Sequence, residues 1–353
     1  MQIYSAAPPS VSTVGVNHLE RLTEVALKCE EAGWDGVLVP HNLHEVDPWL
    51  VAGQLGSLTE RLIPLVAVQP SSLPPHTAAA IAAAFASLYG RPLYFNLVAG
   101  AGEEELRSTG DHLEHNKRYE RLLEYGRILR ALLRGEQLNH RSEYYRYEGF
   151  RLSPRPAALS DCKFFVAGSS PAGLKVALEI ADVVVTHPGP IDEWRSTFLE
   201  PLLAQGYSGE LGIRIGILAR SERDEAWNTA LERFPPTRKG AIKTALKTRS
   251  SNMWAQQLAS RALSEDGSQD DVYWLGAFKT GRISAPYFVG AHEDVGARLG
   301  EYVQNGVSHI ILSDTMSAGE HVDINTALRH ADALNAGPPR SGIEPGSATG
   351  TQF

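Results

Sequence analysis

Lys163-Phe164-Phe165-Val166-Ala167-Gly168-Ser169-Ser170-Pro171-Ala172-Gly173-Leu174 reads as a strand turning into a helix. Residues 163–167 form an apolar, β-prone run, and over residues 172–180 the apolar side chains return every three or four positions, as on one face of a helix. Between them stand a glycine and two hydroxyls. Serine at such a place caps a helix by accepting its first free N–H groups. The same N–H groups, with the helix dipole behind them, also make a seat for a phosphate. Both readings stay open on these residues alone.

The strand-then-helix unit repeats in both directions. Upstream, strands are expected at residues 3–6, 36–40, 63–68 and 93–98, with helices over 18–32, 49–57 and 77–88. The first of these helices carries its apolar stripe on Leu19, Leu22, Val25, Ala26 and Cys29 and stops at Gly33, a residue suited to the left-handed turn that ends helices. Residues 116–133 read as a long helix and 136–152 as a polar, aromatic hairpin. Downstream follow strands at 182–186, 213–219 and 307–312 and helices over 191–204, 295–305 and 325–336. This order predicts an α/β fold, a (β/α)8 TIM barrel, because right-handed crossovers between parallel strands close well at eight. The largest insertion is expected between strands seven and eight, over residues 221–285, where helical patterns broken by the polar stretch 264–271 replace the strand rhythm. Residues 1–336 are expected to form one barrel domain and the Gly-, Pro- and Ser-rich tail 337–353 to be disordered.

Composition narrows the partners. A chain of 353 residues, 43% hydrophobic, buries a sizeable core. Its net charge of −8, with no Lys/Arg cluster to offset it locally, argues against nucleic acid and for a small molecule. Two cysteines, Cys29 and Cys162, form no CxxC pair, so neither a zinc ribbon nor a disulfide framework is expected, and a reducing cytoplasm suits them. No basic and apolar leader precedes residue 10, and no run of about 18 apolar residues occurs. Secretion and membrane spanning are therefore not expected.

In such a barrel, ligands bind where the strands end. The densest polar cluster there is His41-Asn42-Leu43-His44-Glu45-Val46-Asp47. No second ligand pair with metal-like spacing accompanies it, so a substrate-facing or solvated loop is expected rather than a metal site. Glu45 would serve as a general base if burial raised its pKa, and His44 and His187 are further candidate proton carriers. His115 and Tyr119 lie four apart on one helical face, placed either to meet a flat ring or phosphate together or simply to open a capped, charged helix.

Taken together, several spaced motifs resemble the bacterial luciferase-like flavin monooxygenases, and within them the alkanesulfonate monooxygenase branch. These are Glu31-Ala32-Gly33-Trp34-Asp35-Gly36-Val37-Leu38-Val39-Pro40, Val66-Ala67-Val68-Gln69-Pro70, Phe95-Asn96-Leu97-Val98-Ala99-Gly100, His115-Asn116-Lys117-Arg118-Tyr119-Glu120, Phe164 through Ser170, Ile213-Arg214-Ile215 and Tyr287-Phe288-Val289-Gly290. The resemblance implies a barrel that binds FMNH2 supplied by a separate NAD(P)H-dependent flavin reductase and uses O2 through a flavin peroxide. It also implies a homodimer or homotetramer. Position by position, Gly168, Ser169 and Ser170 match the phosphate anchor, and Asn96, His115 and Tyr119 match residues lining the flavin. Gln69, Arg214 and Arg282 fall at positions facing flavin and substrate, with Arg282 on a loop that closes over the site.

The departures concern the substrate. Glu45 stands where the alkanesulfonate enzymes carry a cysteine, Gln69 where they carry an arginine, Gly216 where they carry a histidine, and Ser313-Asp314-Thr315 where they carry a tyrosine. Cations and proton donors are lost and a carboxylate is gained, which disfavours an anionic sulfonate. A different substrate is expected, a specialised metabolite with an amine, carbonyl or thioester. Two rival readings are a deazaflavin F420-dependent oxidoreductase on the same barrel and a flavin-binding protein without catalysis.

Overall fold

The computed structural model describes residues 1–10, 17–100, 103–168, 170–250, 253–264, 272–314 and 319–335. In chain order these form β1 (Gln2–Ala6), α1 (His18–Glu31), β2 (Gly36–Val39), α2 (Pro48–Leu58), β3 (Ile63–Val68), α3 (Pro75–Tyr89), β4 (Tyr94–Leu97), α4 (Glu103–Ser108) and α5 (His115–Leu133). A hairpin of β5 (Leu138–Arg141) and β6 (Arg146–Phe150) follows, then β7 (Phe164–Ala167), α6 (Pro171–Ile180), β8 (Val183–Thr186), α7 (Ile191–Trp194), α8 (Glu200–Ala204) and β9 (Glu210–Arg220). The chain continues through α9 (Arg223–Arg233), α10 (Arg238–Lys247), α11 (Met253–Leu263), β10 (Tyr273–Trp274), α12 (Gly276–Lys279), β11 (Tyr287–Ala291), α13 (His292–Gln304), β12 (Val307–Leu312) and α14 (Glu320–Asn335).

Eight strands close on themselves in the order β9, β12, β1, β2, β3, β4, β7, β8, and β8 pairs back onto β9. Every neighbouring pair in the ring is parallel. This is the expected (β/α)8 barrel. Its strands read as continuous apolar runs because both faces are covered: all four residues of β2 and of β8 are buried. Inside the ring, Tyr4, Leu38, Leu65, Tyr94, Phe165, Val185 and Ile311 pack as one cluster, so the lumen is a filled core. Phe165 meets Tyr4 edge-on at 5.5 Å between centroids and stacks on Tyr94 at 6.0 Å. Gly36 is needed beside them, because a Cβ there would lie 2.2 Å from the Ile63 carbonyl and 2.8 Å from the Tyr4 ring.

Three features differ from the sequence expectation. First, β9 is longer than residues 213–219, spanning Glu210–Arg220. Its first half belongs to the ring, and residues 216–220 run on past it to pair in parallel with β11. Second, the segment between β9 and β12 contains, besides helices α9 to α12, the added strands β10 and β11, which extend the sheet outward from β9. A strand of two residues has too few positions to show a period. Third, the helix expected over 191–204 contains a π turn at Arg195–Leu199. Pro201 follows directly and has no N–H to return to Thr197, which removes one rung of the α ladder. The tail 337–353 and residues 265–271 lie outside the described residues.

Candidate functional site

At the C-terminal ends of the strands lies a cavity of about 340 Å³. Side chains from five ring strands or the turns after them reach it: Leu38 on β2 and His41 after it, Ala67 and Gln69 at β3, Asn96 on β4, Ser170 after β7 and Arg214 on β9. The first turns of α5 add His115, Arg118 and Tyr119, and α11 of the insertion adds Met253 and Trp254 as its cover.

The β7–α6 turn combines its two sequence readings. Ser170 caps α6, its Oγ accepting the Gly173 N–H at 3.0 Å, and the same buried residue lines the cavity. A Cβ on Gly173 would lie 3.1 Å from Ser170 Oγ and 3.2 Å from Tyr119 Cε1, so the tyrosine ring is pressed against the helix start. His115 and Tyr119 do share a face, their ring centroids 4.9 Å apart. Arg118 stands on that face too. One of its Nη atoms donates to the Leu113 carbonyl at 3.3 Å, while its Nε is shut off from solvent with no partner among the described residues.

Arg214 is the second cation of the cavity. Its Nε is likewise buried without a partner among the described residues, and burial holds its pKa below the usual guanidinium value. A desolvated guanidinium with a donor to spare is costly unless a ligand uses it. His187, at the end of β8, donates from Nδ1 to the Arg214 carbonyl at 2.9 Å and meets the Trp254 ring at 4.6 Å between centroids. Burial first, and the Arg214 charge second, push its pKa down to about 3. The neutral ring that results bonds a carbonyl through Nδ1–H and leaves a lone pair on Nε2.

This depression has a stability consequence. The unfolded chain takes up a proton near the ordinary histidine value of about 6.5, whereas the folded protein resists until about 3. Folding stability therefore falls as pH drops through that window and is fully present above it. His187→Gln is expected to flatten the fall in denaturation midpoint between pH 6.5 and 4; an equal slope in both proteins would show that His187 titrates normally.

Other expected residues lie elsewhere. Glu45 does not line the cavity: its carboxylate accepts from the Ser10 N–H at 2.7 Å and from Asn42 Nδ2 at 3.4 Å, tying the loop after β1 to the loop after β2. His44 is exposed, and its backbone N–H donates to Asn42 Oδ1. Arg282 is exposed on the α12–β11 loop, outside the cavity lining. Gly168 faces the neighbouring cleft, and Ser169 lies outside the described residues. Among the described residues no group of three His, Cys, Asp or Glu side chains is placed to hold a metal. Arg118, Met253 and Trp254 escaped the sequence reading. Arg118 stood inside a quoted motif, three residues beyond His115 and thus on its face, while Trp254 sits in the insertion, where strand-end logic has no purchase.

At residue 216, the strand-seven position, there is no room for a side chain. A Cβ on Gly216 would fall 2.2 Å from the Tyr287 ring. Tyr287 donates to Asp314 at 3.3 Å, and Arg233 bridges Asp314 and Glu320. The space that a side chain at residue 216 would need is thus filled by a tyrosine from β11.

The sequence profile of the luciferase-like monooxygenases matches residues 1–309. The chain belongs to that family. A 4-(γ-L-glutamylamino)butanoyl-[BtrI acyl-carrier protein] monooxygenase, BtrO of Niallia circulans, is 36% identical over 317 residues, spanning 87% of this chain and 92% of that protein. Among solved structures, DmoA from Hyphomicrobium sulfonivorans superposes with a TM-score of 0.73 at 15% identity, covering 98% of this chain and 90% of its own. An F420-dependent secondary alcohol dehydrogenase superposes with a TM-score of 0.67 at 17% identity, covering 94% and 98%. At such identities these likenesses speak for the fold alone. As a luciferase-like monooxygenase the protein is an oxidoreductase. No described helix of this monooxygenase is long and apolar enough to cross a membrane.

Proposed function

We propose that this chain is the oxygenase half of a two-component system: FMNH2 arrives from a separate NAD(P)H-dependent reductase, and one atom of O2 enters a small organic substrate that is not a simple alkanesulfonate. The cytoplasm is its proposed location and a homodimer or homotetramer its proposed state. The observation that carries the reading is the cavity itself, whose lining joins the capped helix start at Ser170, the cations Arg118 and Arg214, the aromatic His115 and Tyr119, and the amides of Asn96 and Gln69. That donor set fits a flat ring with a phosphate tail. Ser170, Arg118 and Tyr119 would take the phosphate, and Asn96, Gln69 and Arg214 the edge of the ring. Reduced flavin, when bound, supplies the electrons that activate O2. The chain's own part is to orient the ring, to keep water out with Met253 and Trp254, and to present the Arg214 guanidinium as a donor with the neutral His187 behind it.

For the substrate, the loss of cations at strands three and seven speaks against a sulfonate. The carrier-bound acyl group in the name of the 36% identical relative supports the thioester among the three expected classes.

Anaerobic titration tests the cofactor. FMNH2 is expected to bind more tightly than reduced F420, and Ser170 variants separate its two roles. Ser170→Ala should lose about 1 kcal/mol of stability with the cap, whereas Ser170→Gly should lose only a few tenths. Both should weaken FMNH2 by roughly fivefold, one hydrogen bond's worth. Tighter F420 binding, with hydride transfer and no O2 consumption, would overturn the reading.

A further inference from the structure

We propose that a second cleft, opening off the flavin cavity, holds the pantetheine arm of a carrier-bound acyl substrate; this rests on the thioester reading above. The cleft has a volume of about 1010 Å³, against about 340 Å³ for the cavity. Ser170, Met253 and Trp254 line both, so the two spaces meet at a neck beside Trp254. On one wall, Met253, Gln257, Ser260 and Ser264 recur at spacings of four, three and four along α11, so the cleft follows that helix from end to end. An eleven-residue helix is roughly 16 Å long. The facing wall is the segment from α7 to α8, where the π turn presents Thr197 and Phe198 and the chain continues to Pro201 and Gln205. A π turn within a helix is often found where side chains serve a ligand.

The lining selects the ligand's chemistry. Apolar Phe198, Pro201 and Leu258 alternate with the neutral donors and acceptors of Thr197, Gln205 and Gln257. The two charged groups of opposite sign, Arg261 and Glu193, pair with each other. The side chains of Thr197, Gln205 and Gln257 are exposed and hydrated, so an alkyl chain would displace their water without returning its hydrogen bonds, and an anion would have to break the Arg261–Glu193 pair. A long, neutral chain that carries amides between methylene and methyl groups satisfies both demands. The pantetheine arm is such a chain: it has two secondary amides, a hydroxyl and a geminal dimethyl group, and it ends in the thioester. Laid along α11, it brings that thioester to the neck beside Trp254 and His187 and its acyl group into the cavity, while the carrier stays outside.

Calorimetric titration of the full-length protein with free pantetheine tests this. Ser260→Trp and Gln257→Trp place a large ring in the cleft at exposed helix positions, where the fold tolerates it. The expected result is measurable pantetheine binding that weakens at least tenfold in both variants, with FMNH2 affinity kept within twofold as the control for an intact barrel mouth. No binding to the unaltered protein at millimolar pantetheine, or equal binding by the tryptophan variants, overturns the proposal. Turnover separates it from the reading beneath it. Oxygenation of a carrier-bound thioester with unchanged KM in both variants overturns the cleft assignment and leaves the thioester reading standing. Pantetheine binding that the tryptophans abolish, without turnover of any carrier-bound thioester, supports the cleft and overturns that reading.

Discussion

Gly216→His, the change that restores the histidine of the alkanesulfonate branch, is expected to unfold the protein rather than to create a sulfonate site. The Cβ alone would fall 2.2 Å from the buried Tyr287 ring, which cannot swing away because its hydroxyl is held by Asp314 and Phe234 packs against its face at 5.1 Å between centroids. Overpacking of this kind costs about 1–3 kcal/mol for one added group, so Gly216→Ala should already lower the denaturation midpoint and Gly216→His should yield little soluble protein. Tyr287→Ala in the same chain should recover solubility, because it opens the space that the new ring needs. Normal folding of Gly216→His alone would show that β11 does not pack as described, and that the missing imidazole is a choice of chemistry rather than of space.

The second large effect is at Arg214. Its Nε has no partner among the described residues and burial depresses its pKa, which is an unfavourable state for the free protein. Replacement by Met removes a desolvated cation and keeps much of the volume. FMNH2 affinity is therefore expected to fall by about 10- to 100-fold, the range for a hydrogen bond to a charged group, while the melting temperature holds or rises. Arg214→Lys keeps the charge but loses the planar fork, and should fall between the two. Calorimetry and flavin titration on the same samples check both halves. A variant that binds flavin normally and melts lower would make Arg214 a structural residue.

How far the sequence carries is visible at individual positions. The ring strands were legible because they are short, mostly apolar runs separated by helical patterns, the signature of a parallel sheet buried on both faces. Gln69, Asn96 and Ser170 stand at strand ends, which the fold brings together, whereas Arg214, inside β9, is pointed to only by the family resemblance. Trp254 and Met253 did not, because their place over the cavity depends on how α11 folds back across the barrel, a long-range contact with no local pattern. The opposite error occurred at Glu45, which lies in the right loop but points to Ser10. A loop's position can be read from the strands on either side; the direction of its side chains depends on partners elsewhere in the chain. Gly216 shows the same limit, for its neighbour Tyr287 comes from a strand that the period did not reveal.

The proposed role of the cavity at the barrel mouth is to hold reduced flavin for oxygenation of a thioester-bound acyl group. Its most direct test is turnover under 18O2 with FMNH2 and an acyl group presented on a pantetheinylated carrier, followed by mass spectrometry of the released acyl chain. The expected product carries one 18O atom, lost in Arg214→Met. Product formed with F420 in place of FMNH2, carrying no 18O and consuming no O2, would contradict it.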